Sequence, residues 1–298
     1  MSRQFKRKVQ VVIGKQGNGL LVEDLRISFE ITKTLEAEPN CAIIKIFNLN
    51  PDNESKIKNE FDEVIVNAGY EADMRLIFRG NIKHVYRYRD KNDFITEIEV
   101  GDGDKDFRNS VMNETLAAGT TDAQIVDKAV KSFGTTKKGQ VQLSTARRIR
   151  GKVITGNTRD VLKNLSNESG ANWSIQDGQL QIVKVGSVLA DEAIVVNSET
   201  GMLSSPEVND KGISAKCLLS PQIKINGRIQ LDNNTIKAKR EKNKTLATDA
   251  EKKDAKKAEP VRLDPDGFYK VVKLIHVGDN RGQDWYTEIE CLSVGQNK

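Results

Sequence analysis

The chain has 298 residues, of which 37% are hydrophobic, 30% charged and only 5% aromatic, with a formal charge of +5. That length suffices for two or three domains, each with its own core. No stretch approaches the roughly 18 to 20 apolar residues of a bilayer-spanning helix, and Met1 to Lys8 lacks the apolar centre of a secretory signal, so a cytoplasm-like compartment is expected.

The first hundred residues read as strands: Val9 to Ile13, Leu25 to Lys33, Cys41 to Leu49, Glu63 to Tyr70, Met74 to Arg79, Ile82 to Arg89 and Phe94 to Val100. Helix periodicity is nearly absent there. In the last of them Phe94, Thr96, Ile98 and Val100 alternate with Ile95, Glu97 and Glu99, which predicts a buried face and a face of carboxylates. Next, Thr121 caps a run in which Ile125, Val126, Ala129, Val130 and Phe133 recur at helical spacing. A second helix starts near Thr158, buries Val161, Leu162 and Leu165, and stops at Gly170. Trp173 and Ile175 then alternate up to the turn pair Asp177-Gly178, after which Leu180 and Ile182 return on the same face. Residues 106–195 thus read as a small α+β domain. Cys41, Cys217 and Cys291 are odd in number and lie in apolar strands, as small buried thiols do. Between Lys237 and Lys257 stand eight lysines and one arginine with almost nothing apolar, a solvated loop or frayed helix by composition.

The chain is internally duplicated. Asp93-Phe94-Ile95-Thr96-Glu97-Ile98-Glu99 returns as Asp284-Trp285-Tyr286-Thr287-Glu288-Ile289-Glu290, and the strand ending Leu49-Asn50-Pro51 is echoed by the one ending Leu219-Ser220-Pro221. In the second copy Trp285, Thr287, Ile289 and Cys291 take the inner face. The second copy is longer, and the Lys-rich stretch around 236–262 accounts for the excess. Numerous short strands parted by turns such as Asp279-Asn280-Arg281-Gly282 indicate a small antiparallel barrel or sandwich.

Motifs of chemistry are offered and withdrawn. Gly14 to Gly19 has the look of a phosphate loop, but no helix follows it and a hairpin turn is the reading. Asp102, Asp104 and Asp106 have calcium-loop spacing, yet Phe107 replaces the required glycine and Asn113 the final acid. His84 and His276, the only histidines, have no metal-ligand spacing, and the usual hydrolase motifs are absent. No catalytic, metal or cofactor-binding residue is assigned. Arg147-Arg148-Ile149-Arg150, and Arg87 and Arg89 around Tyr88, read as polar strand faces before they read as a nucleic-acid groove.

Pro39-Asn40 leading into Ile44 to Leu49, Asn172-Trp173-Ser174-Ile175-Gln176-Asp177-Gly178-Gln179-Leu180, and Thr200-Gly201-Met202 through Pro206 to Cys217-Leu218-Leu219-Ser220-Pro221 resemble the baseplate hub proteins of contractile-tailed bacteriophages. The resemblance implies a mainly β chain, α+β overall: two tail-tube-like antiparallel β-barrels, residues 1–105 and 196–298, flanking the α+β domain of 106–195. It implies a non-enzymatic part of the virion, assembled in the host bacterial cytoplasm. As a homotrimer it would form a pseudo-sixfold ring between the tail tube protein and the spike or tail-tip protein, beside other baseplate proteins, with DNA passing through. Glu97, Glu99, Glu288 and Glu290 are then expected to face the channel, where like charge repels phosphates. The Lys-rich insertion, with Lys239, Arg240, Lys252 and Lys253 as candidates, is expected to touch a partner. A single-strand nucleic-acid-binding barrel protein is the alternative, and a tail-associated peptidoglycan hydrolase the third reading.

Overall fold

The computed structural model describes residues 6–15, 18–144, 146–209, 212–232, 237–238 and 266–294. β1 (Arg7–Lys15) and β2 (Asn18–Val22) form the hairpin expected at Gly14 to Gly19, with Lys15 opposite Asn18. A Cβ on Gly14 would come within 2.5 Å of the Asn18 carbonyl oxygen, so the close strand approach needs glycine there. In β3 (Ile27–Thr34) Ile27, Phe29 and Ile31 are buried, and the residues between them turn to the other face. β4 (Cys41–Phe47) pairs with it. Cys41, expected inside, is exposed because it lies opposite Thr32 on the outer face, whereas Cys217 and Cys291 are buried.

Helix α1 (Pro51–Asn59) stands where the sequence predicts only strands. Asn50 accepts from the Asp52 amide at 2.8 Å, and Pro51 suits a first turn that needs no donor. Only Ile57 of its nine residues is buried, so no apolar stripe announces the helix.

β5 (Glu63–Tyr70), β6 (Asp73–Asp90) and β7 (Asp93–Gly101) complete the first copy. β6 merges two expected strands into one of 18 residues. It pairs with β5 up to Asn81 and with β7 from Asn81 onward, so the sheet folds over at that point. The fold encloses a core in which Val11 and Val66 meet Ile31, Ile44 and Ile98. Phe94, expected inside, is 44% exposed under the guanidinium groups of Arg87 and Arg89, while Ile95 is buried.

Short helix α2 (Asp104–Asn109) leads to β8 (Val111–Leu116), α3 (Asp122–Ser132), β9 (Lys137–Val141), β10 (Lys152–Asn157), α4 (Thr158–Glu168), β11 (Ala171–Gln176) and β12 (Gln179–Lys184). Both expected helices are present; Thr121 caps the first as expected, and the Gln124 side chain returns to the Thr121 amide to complete a capping box. Asp177 and Gly178 have φ of 54° and 75°, the left-handed pair that a tight hairpin requires. Ile125, Val126, Leu162, Leu165, Trp173, Ile175, Leu180 and Ile182 share one cluster, separate from the core before it.

The second copy comprises β13 (Ile194–Val195), β14 (Met202–Asn209), β15 (Gly212–Leu218), β16 (Arg228–Gln230), β17 (Lys237–Ala238), β18 (Phe268–Asp279) and β19 (Trp285–Ser293). Its own cluster gathers Ile213, Cys217, Ile229, Tyr269, Leu274 and Ile289. The sequence predicts two separate barrels. Among the described residues no barrel closes: the strands lie in one 14-stranded sheet, whose path runs β17-β14-β15-β19-β18-β3-β4-β7-β6-β5-β1-β2. The join is β18 with β3, from Lys273 opposite Thr34 to Asp279 opposite Ser28. Trp285 of the second copy sits in the first copy's core, edge-on to Phe29 at 5.9 Å and Tyr70 at 6.4 Å. Arg26 and Asp279 pair at 2.7 Å, and the Asn280 side chain bonds both the Ile27 amide and the Leu25 carbonyl, so the turn after β18 is pinned to the first copy.

Register verifies the duplication and corrects it by one residue. Lys45 faces Glu97, and Lys216 faces the equivalent Glu288. Lys45 therefore matches Lys216, whereas aligning the two Leu-x-Pro sequences would match Ile46 to it. The surplus residue is Asn48, held at φ 57° with its side chain bonding both Asp93 and the Phe94 amide. A β-bulge also recurs at equivalent places, between Ile82 and His84 opposite Val100 and Glu99, and between Val271 and Lys273 opposite Cys291 and Glu290.

Candidate functional site

Glu97, Glu99, Glu288 and Glu290 lie on one face of one continuous sheet. The pairings Glu97–Lys45–Ser28 and Glu99–Ile43–Glu30 run across β7, β4 and β3, and Glu30 continues to Val277 and Tyr286 on β18 and β19. Because directly opposed residues share a face, the carboxylates of both copies project to the same side. Glu30 and Glu207 join them, opposite Ile43 and Ser214. They were not singled out, although the place of Glu30 between inward Phe29 and Ile31 carries that signal.

Lysines answer three of the four expected carboxylates. Lys45 lies 3.4 Å from Glu97, Lys216 lies 3.0 Å from Glu288 and Lys273 lies 3.2 Å from Glu290. Tyr88 Oη donates to Glu97 at 2.8 Å. Burial disfavours the charge on Lys45 and Lys216, but Glu97 and Glu288 outweigh it and raise both lysines above their ordinary range. Partly exposed pairs contribute about 0–1 kcal/mol each, so they set the charge pattern of the face more than the stability of the fold. Glu99 has no ion pair among the described residues. The face is acidic with embedded lysines, instead of the bare row of carboxylates that the sequence suggests.

The aspartates with calcium-loop spacing hold the central domain. The buried Asp102 carboxylate accepts from the Asp177 and Gly178 amides at 2.5 and 2.8 Å. Its pKa is pushed up to about 7 by burial and then by the charge of Asp177. Asp104 pairs with Lys83 and Arg108, and Asp106 accepts from Gly134, Thr135 and Thr136. Around Asp102, Lys33 reaches Asp177 at 2.6 Å, and Asn40 and Gln176 bond to each other. His276 is fully enclosed, with Nδ1 2.8 Å from Thr287 Oγ1, and burial followed by the charge of Lys33 brings it down to about 3.

No grouping of three or more His, Cys, Asp or Glu that could hold a metal occurs among the described residues. Arg148 is engaged by Asp122 and Glu168, and Arg87 by Glu54 at 3.2 Å. Lys239, Arg240, Lys252 and Lys253 lie outside the described residues.

The model of the baseplate hub gp41 family matches residues 8–235. No curated protein matches. Among solved structures, the 43 kDa tail protein of prophage MuSo2 from Shewanella oneidensis superposes with a TM-score of 0.62 at 11% identity, covering 97% of this chain and 98% of that one. A tail protein from Neisseria meningitidis MC58 gives 0.61 at 9% identity, covering 96% of both chains. The E. coli c3393 protein, a component of the type VI secretion system with structural similarity to T4 tail proteins gp27 and gp5, gives 0.57 at 10% identity, covering 98% of this chain and 78% of that one. At such identities these likenesses establish the fold, and the family match establishes the kinship: this chain belongs to the baseplate hub gp41 family and is a structural protein of the phage tail.

Proposed function

We propose that three copies of this chain close into a ring with pseudo-sixfold symmetry that joins the tail tube to the central spike and lets DNA through its centre. Residues 1–105 and 196–298 act as the two tube-like units and 106–195 as the domain between them. The seam between β18 and β3 carries this reading. By register, β18 is the counterpart of β6 and β3 the counterpart of β14. The chain therefore contains one unit-to-unit junction and offers the two strands that would make the next. Among the described residues, β6 beyond Ile82 pairs only with β7, and β14 bonds on its outer side only to Lys237–Ala238, at Glu207 and Val208. Repeating the seam between chains would satisfy those open backbone edges and generate a closed heterologous ring. Eight strands in a row from β14 to β6 would be contributed by each of three chains.

The glutamate face is the channel lining in this arrangement. Glu97, Glu288 and Glu290 are balanced by lysines, while Glu30 and Glu99, with no ion pair among the described residues, add negative charge that keeps phosphates from adhering. The spike, tube and remaining baseplate proteins are the partners. Negative-stain microscopy of the purified chain tests the ring: annuli of three chains with six lobes and a central hole are expected. Compact monomers that persist after tube and spike proteins are added would sink the proposal.

A further inference from the structure

Trp285 opens its strand, yet it is buried because the neighbouring unit covers it: Phe29 lies 5.9 Å and Tyr70 6.4 Å away, and the Arg7 guanidinium stands 5.7 Å over its ring. Its counterpart in the first copy is Phe94. Each stands three positions before an equivalent glutamate, Glu288 or Glu97, and Trp285 opposes Gly278 on β18 as Phe94 opposes Arg89 on β6. Phe94 has no neighbouring unit over it and is 44% exposed. Only Arg87 and Arg89 shield it, with guanidinium groups 4.9 and 5.6 Å from its ring. A large aromatic left in water beside an open strand edge, where its twin is buried by a second unit, marks a contact still to be made.

The other side of that contact is built to match. Within the seam Gly278 opposes Phe29, and the Phe29 ring leaves no space for a Cβ on Gly278. In the second copy the bulge Ser205-Pro206, opposite Ala215, takes the place that Phe29 holds opposite Ile44. Arg89 stands where Gly278 does. A junction that repeats the seam between chains therefore sets a long side chain against two small residues, where the internal junction sets a ring against a glycine. The volume gained on one strand is given up on the other, as close packing requires. β14 is open to solvent there, with Ser205 half-buried and Leu203, two positions earlier, 51% exposed.

We infer that Phe94 is the aromatic anchor between neighbouring chains, packing against the Ser205-Pro206 bulge of a second copy with Arg89 alongside. The inference rests on the proposed ring and names the residues that decide which edges meet. Arg89 fits β14 but not Phe29, so β6 cannot take the place of β18 on β3, and the internal seam stays internal. The seam register sets Arg87 and Tyr88 of the incoming strand opposite Val208 and Glu207, where it replaces Lys237–Ala238.

The test counts rings by negative-stain microscopy over a concentration series, with tube and spike proteins present, and measures the melting temperature of the monomer beside it. Phe94→Ala should raise the concentration for half-maximal ring formation by about tenfold or more and leave the melting temperature near native. Ser205→Phe should suppress rings by crowding Arg89 of the next chain, and Arg89→Gly/Ser205→Phe, which copies the Gly278–Phe29 pair, should restore them. Native rings that form as readily with Phe94→Ala or with Ser205→Phe, or a Ser205→Phe defect that Arg89→Gly does not relieve, would overturn the anchor and leave the ring standing. A melting temperature lowered by Phe94→Ala as far as by Trp285→Ala would also overturn it, since Phe94 would then support its own chain. Absence of rings from the native chain would sink the ring proposal and this contact with it.

Discussion

Asn40 and Gln176, separated by 136 positions, meet side chain to side chain: Asn40 Nδ2 donates to Gln176 Oε1 at 2.9 Å. The same Nδ2 donates to the Ile175 carbonyl, Asn40 Oδ1 accepts from the Thr34 amide, and Gln176 Nε2 donates to the Thr34 carbonyl. One buried amide pair thus ties β3, β4 and the central hairpin together. Asn40→Ala should cost about 3 kcal/mol, since it leaves several buried partners unsatisfied at about 1–1.5 kcal/mol each. Urea unfolding of Asn40→Ala, Gln176→Ala and the double variant should show strongly non-additive losses. Strict additivity would mean that the two amides act separately.

Two buried groups in this region titrate with opposite sign. Asp102 is raised to about 7 from 3.8, so between those values the folded chain holds a proton that the unfolded chain has released, and stability falls as pH rises through that window. His276 is lowered to about 3 from 6.5, so the unfolded chain binds the extra proton and stability falls as pH drops through 6.5 toward 3. Their slopes oppose each other between about pH 4 and 6.5. Lys33 and Asp177 face Asp102. Asp102→Asn should make stability rise more steeply with pH in that window, and His276→Gln should tilt it the other way. Melting temperatures at half-unit pH steps check both, and parallel curves for native and variant chains would refute the assignment.

Trp285 belongs by sequence to the second copy and by packing to the first. Trp285→Ala should cost about 3–5 kcal/mol, the usual loss for a large buried aromatic. The two copies should then unfold as separate steps in calorimetry, where the native chain is expected to unfold them together. A single sharp transition at lower temperature would assign the coupling to the β18–β3 hydrogen bonds instead.

On the glutamate face, changing Glu97, Glu99, Glu288 and Glu290 together to lysine removes three ion pairs and sets lysine against lysine. DNA ejection from particles carrying this hub should slow. The exchange Lys45→Glu/Glu97→Lys keeps the net charge and should eject at the native rate. Unchanged kinetics in the fourfold variant would exclude a role for wall charge.

Proline scanning separates assembly from folding along β6. Arg87 and Tyr88 are adjacent, so in a strand one amide points toward β7 and the other toward the open edge. Arg87→Pro and Tyr88→Pro should therefore differ: one lowers the melting temperature, while the other leaves the monomer folded and suppresses rings. Equal effects on ring yield would argue against β6 as the seam.

The strand faces were legible because alternation survives in short segments: Thr287, Ile289 and Cys291 are buried as their spacing requires. The central helices were legible because a capping box and a glycine stop bracket them. Helix α1 was not, since one buried isoleucine in nine residues leaves no period to read. The register of the repeat was misread at Asn48, where a left-handed residue lets one copy carry a position that the other lacks, and proline and leucine landmarks hide the shift. Asp102 and Asp106 were legible as a pattern but not in purpose, because a carboxylate that anchors backbone amides is written with the same letter as one that binds an ion.

Because β18 and β3 belong to one polypeptide, their seam forms without an encounter between molecules and is indifferent to dilution. Six separate subunits would assemble with a sixth-power dependence on concentration. In the proposed ring of three chains, where half of the junctions would lie within a chain, the dependence would fall to the third power. Fusion would therefore let the proposed ring assemble at chain concentrations at which six separate subunits stay apart.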